Sequence, residues 1–124
     1  MKTVRIDYPG ERTFQFVLET DTPNRELVQK CFDWFNHGSR CEHFVFLRSR
    51  ARSMSVGDFV TINGHDVYQC ESFGWGKRTI EDRTLFDREV KRQLPSGRNS
   101  WSIMNDLMRE KELTQTSDSG TVGE

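Results

Sequence analysis

Cys31, His37, Cys41 and His43 crowd into one short stretch of the chain, and all four side chains are good zinc ligands. Their spacing suits that task poorly. A structural zinc site presents a close cysteine pair on a turn, whereas Cys31 belongs to the apolar stripe of a helix and reads as a small buried residue. His37 falls where that helix ends, which favours its protonated form and a structural role. Cys41 and His43 sit two apart in a strand-like run and so share a face, but Cys70 or His65 would have to complete a site. No metal or other cofactor is expected. Catalysis has less support still, because three scattered Cys and three scattered His pair only by chance. No paired carboxylates or HExxH signature stand out, and Gly74-Trp75-Gly76-Lys77-Arg78 lacks the upstream glycine of a phosphate loop. The chain is not expected to be an enzyme.

The basic residues are the second group able to do chemistry. Arg48, Arg50, Arg52, Lys77 and Arg78, with Arg40 nearby and Trp75 and Phe73 interleaved, could hold phosphates and stack bases. Glu19, Asp21, Glu42, Asp58, Asp66 and Glu71 are interspersed and the net charge is −1, so solvated or paired arginines are the plainer reading. Nucleic-acid binding through Arg48, Arg50, Arg52, Trp75, Lys77 and Arg78 is therefore the alternative function.

The elements that position these residues follow from periodicity. Val4, Ile6 and Tyr8 alternate up to Pro9-Gly10, and Phe14, Phe16 and Leu18 alternate after it, which predicts an antiparallel pair. Thr22-Pro23 opens a helix over about 23–37, with Thr22 as cap and Gly38 as stop. Cys41 to Leu47 reads as a third strand, and Arg48 to Arg52 as a loop. Asn63-Gly64 between two strand-like runs predicts a two-residue hairpin, with Ile62 opposite His65, Val60 opposite Val67 and Phe59 opposite Tyr68. Thr79 caps a charged helix with a thin apolar stripe that Pro95 ends. Ser100 caps another from Trp101 to about Leu113, which folds back on the core or presents Trp101, Met104, Leu107 and Met108 to a partner. Residues 114–124 carry no periodic apolar face and read as a disordered tail.

Arg52-Ser53-Met54-Ser55-Val56-Gly57-Asp58-Phe59-Val60, followed by Val67-Tyr68 and Ser72-Phe73-Gly74-Trp75, resembles the pattern of YodL-like domains over about residues 49–76. These are small bacterial proteins and domains often found among plasmid and phage genes, some beside antirestriction proteins. The resemblance implies an accessory or counter-defence factor that binds a host protein. The residues themselves read as structural, with Asp58 accepting backbone N–H bonds to fix the turn at Gly57.

At 124 residues the chain fits one domain, and nine Phe, three Trp and two Tyr concentrate its 34 % apolar content in large rings. The expected architecture is α+β, a small curved antiparallel sheet or partly open barrel over residues 1–113, with one helix packed early and two C-terminal helices. Residues 95–113 could form a semi-independent helical unit. No apolar run is long enough to cross a bilayer and the N-terminal residues lack a secretory signal, so a cytoplasmic protein is expected, in keeping with three unpaired cysteines. The function these readings favour is a non-enzymatic protein-interaction module with a protein partner and no membrane contact.

Overall fold

The structure, a computed structural model, describes residues 1–110. The anticipated tail at 114–124 and the anticipated helix end at Leu113 lie outside the described residues. Val4, Ile6 and Tyr8 form one face of β1 (Lys2–Tyr8), which turns at Pro9-Gly10 into β2 (Arg12–Leu18). The two pair antiparallel from Lys2 opposite Leu18 to Tyr8 opposite Arg12, as alternation predicts. β3 (Phe59–Ile62) lies on the other side of β1, followed by β4 (Asp66–Cys70) and β5 (Trp75–Arg78). The spatial order is β2-β1-β3-β4-β5, all antiparallel. The sheet is open, with β2 and β5 as its edges.

Among the described residues four α-helices cover it: α1 (Asn24–Trp34), α2 (Phe44–Ser49), α3 (Ile80–Gln93) and α4, at residues 100–110. The sheet separates two cores. On one face Val4, Ile6, Tyr8, Phe14, Val60 and Ile62 pack against Leu27, Val28 and Cys31 of α1 and Phe46 of α2. On the other, Phe59 and Val67 pack against Phe86 and Val90 of α3 and Ile103, Met104 and Met108 of α4. α4 therefore folds back onto the sheet, which removes Met104 and Met108 from any open surface and leaves Trp101 65 % exposed.

Several local expectations are corrected. Cys41 to Leu47 is no strand, because the His43 ring nitrogen Nδ1 accepts the Val45 N–H at 3.1 Å and starts α2, while Ser49 Oγ donates to the Phe46 carbonyl. A short apolar run suits either state, and here burying Phe46 alone decides for the helix. α2 takes in Arg48 and Ser49, and Arg50 closes it in the left-handed region at φ 56°. α1 starts after Pro23, its N-cap without a side-chain cap bond, and ends at Trp34. The Trp34 and Phe35 carbonyls are taken by the N–H groups of His43 and Met54. Asn99, rather than Ser100, caps α4 by accepting the Ser102 N–H at 2.8 Å.

The hairpin keeps its turn and shifts its register. Asn63 and Gly64 have the positive φ values, 53° and 77°, that a type I′ turn needs, and His65 N–H bonds to the Ile62 carbonyl. His65 is then left over, and pairing begins at Ile62 with Asp66, so Val60 faces Tyr68 and Phe59 faces Gln69. The extra residue puts Tyr68 with Val60 in the first core and Val67 with Phe59 in the second. β5 carries no apolar alternation that would announce it; Arg78 holds it, donating to Gln69, Glu71 and the Lys77 carbonyl from a buried position.

Candidate functional site

Arg52 sits at the centre of a closed polar knot. Its guanidinium donates to both Asp58 oxygens at 2.8 and 2.9 Å and to Glu11 at 3.0 Å, and lies 4.0 Å over the Tyr8 ring. Asp58 also accepts the Ser55 N–H at 2.8 Å, the turn-fixing bond anticipated for it. Burial pushes the Asp58 carboxyl up to about 6 against the opposing pull of Arg52. The Tyr8 hydroxyl donates back to the Arg52 carbonyl, so the knot ties β1 to the loop before β3.

The other residues of the basic alternative are dispersed. Lys77 pairs with Asp66 at 3.1 Å and lies over Tyr68, Arg78 is buried, and Trp75 packs against the first core. Arg48 and Arg50, exposed like Lys77, stand at and beside the end of α2. Phe73, 96 % exposed, stands at the β4–β5 turn.

A concave surface on the second face of the sheet was not legible as a site. Residues alternating with the core positions, Thr3, Arg5, Gln15, Val17 and Thr61, floor a groove of about 540 Å³ on the second face of the sheet, with Arg83 of α3 as its wall. Arg5 donates through Nε and Nη2 to Asp7, at 3.0 Å for the closest contact, and Thr13 donates to the same carboxylate at 2.8 Å. Arg83 donates through Nη1 to Thr61 at 2.8 Å and stands 3.8 Å from Asp7. Two guanidiniums thus share one carboxylate, and desolvation together with the Arg5 charge lowers the Arg83 pKa. Nearby Asp87 is engaged by the Gly10 N–H and Lys91. The groove is basic and rich in donors.

A second surface lies across β2. Phe44 and Leu47, three apart on α2, are 61 % and 52 % exposed. Phe44 ends a stack of rings: His43 lies 4.5 Å from Phe16 and 4.9 Å from Phe44. Desolvation lowers the His43 pKa, and its Nδ1 can accept the Val45 N–H only when unprotonated. A depressed His pKa gives stability that is present above the ordinary value of about 6.5 and lost as pH falls through the folded-state pKa. Thermal melts from pH 7.5 to 5.5 should therefore fall more steeply for the native chain than for His43→Asn, whose amide can cap α2 at either pH. Equal slopes would contradict the capping role.

Of the residues weighed as metal ligands, Cys31 and Cys70 are buried with thiols pushed up to about 12, Cys41 is exposed, and His37 bonds to the Ala51 carbonyl at 2.8 Å. Among the described residues no three His, Cys, Asp or Glu side chains gather to hold a metal ion, and no helix is long and apolar enough to cross a membrane. The chain matches no family model, no curated protein and no solved structure.

Proposed function

We propose that the chain is a non-enzymatic protein-interaction module whose partner packs on the outer face of α2. The exposed pair Phe44 and Leu47 carries this reading, because two large apolar side chains beside a ring stack form a compact apolar patch on a chain with 30 % charged residues. The likeness of residues 49–76 to YodL-like domains supports a place among accessory or counter-defence factors of phages or plasmids that bind a host protein. Arg52, Lys77 and Arg78 pair within the chain, which favours this reading over the nucleic-acid alternative.

Phe44→Ala with Leu47→Ala should abolish capture of the partner from nuclease-treated host lysate and shift the melting temperature by no more than about 2 °C, since exposed side chains contribute little to stability. Capture that persists in the double variant, or that disappears with nuclease alone in the native chain, would contradict the proposal.

A further inference from the structure

The two edges of the sheet differ in a way that bears on what the module binds. The Asn63 N–H donates to the Thr3 carbonyl at 2.9 Å, so the odd residues of β1 turn their backbone groups to β3 and the even ones to β2. On β2 this leaves Thr13, Gln15 and Val17 with N–H and C=O directed away from the sheet. Among the described residues no backbone group of β2 bonds to anything other than β1. β2 has seven residues and, inside it, no Pro, Lys or bulge of the kind that blunts an edge. β5 has four residues and a Lys, and Arg25 takes its outward Trp75 carbonyl.

We propose that the free edge of β2 is a strand-addition site for an extended segment of the partner protein that alternates acidic and apolar residues. The inference rests on the protein-interaction reading and names the partner's chemistry. An added strand would pair with the outward groups of Thr13, Gln15 and Val17 and send its side chains alternately to the two faces. On one face they enter the side of the groove where Arg5 and Arg83 share Asp7 and hold further N–H donors, which calls for carboxylates. On the other they meet Phe16 and, across the His43 ring, Phe44, which calls for apolar side chains.

The probe is a blocked heptapeptide alternating valine and glutamate, titrated into the isotope-labelled chain and followed by backbone amide shifts. Binding should perturb the amides of residues 13–17, weaken at least fivefold in Arg5→Gln, and be at least tenfold weaker for the peptide with lysine in place of glutamate. Gln15→Pro removes one outward donor and no bond to β1, so it should abolish binding. Val17→Glu, which keeps the backbone intact and sets a carboxylate on the groove face against the peptide's glutamates, should weaken binding at least tenfold if the proline variant fails to fold. Absence of binding by the glutamate peptide, equal binding of the lysine peptide, or binding undiminished in Val17→Glu overturns the strand-addition site. A concentration-dependent dimer of the native chain that Val17→Glu abolishes assigns the edge to a second copy and overturns the acidic occupant. The broader reading fails separately, if the Phe44 and Leu47 variant keeps its partner.

Discussion

Arg52→Ala should lower the unfolding free energy by about 3 kcal/mol, the lower end for a broken buried ion pair because the guanidinium itself is partly exposed. The Asp58 side chain is only 1 % exposed, so without Arg52 it stays charged in a dry site or takes up a proton. The cation over Tyr8 is lost as well. The sign of the pH dependence follows from the raised Asp58 pKa of about 6. Below that value the folded carboxyl is protonated and the pair contributes little in either protein, so the deficit should shrink as pH falls from 8 to 5. Denaturant unfolding at the two pH values measures it. A variant of unchanged stability that lost affinity for nucleic acid would return Arg52 to the role its basic neighbours suggest in sequence.

Gly57→Ala should cost a comparable amount, about 3 kcal/mol, from two sources. Gly57 holds φ 101°, where a side chain is strained, and a Cβ there would run into Met104 of α4, with the sulfur at 2.6 Å. The loop before β3 is thus packed directly under the helix that folds back. Combining Gly57→Ala with Met104→Ala separates the terms: the overlap is relieved in the double variant and the backbone strain remains, so the double variant should lose less than the sum of the two single losses. Additive losses would mean that α4 does not rest on this loop.

The turns and the Thr79 cap were legible because they depend on local chemistry, whereas the caps expected at Thr22 and Ser100 were not formed. Pro9-Gly10 joins β1 to β2, Thr79 forms the anticipated cap, reciprocated by Asp82, and Asn63-Gly64 supplies the positive φ pair. What failed depends on contacts that a local motif does not specify. α2 reads as a strand until the His43 cap and the burial of Phe46 against Phe35 are known. The register of β3 and β4 turned on one unpaired residue, His65, which the turn motif does not specify. The candidate site was hidden for the same reason. Arg5, Gln15 and Thr61 look like the solvent side of amphipathic strands, and only the placement of α3 over part of that face makes them the floor of a groove. Phe44 and Leu47 looked like strand interior, although a helix of six residues leaves them outside. Arg52, Lys77 and Arg78 looked available because their acidic partners lie six, eleven and seven residues away in sequence.

The central claim, that a protein partner packs on the outer face of α2, is tested most directly by photo-crosslinking. A benzophenone amino acid is placed at Leu47, or at Lys91 on α3 as a control, and irradiated in nuclease-treated host lysate. The account predicts one dominant protein adduct from position 47, absent from position 91 and suppressed by excess unlabelled native chain. Equal adducts from both positions, or none from position 47 under conditions where the native chain captures its partner, would contradict it.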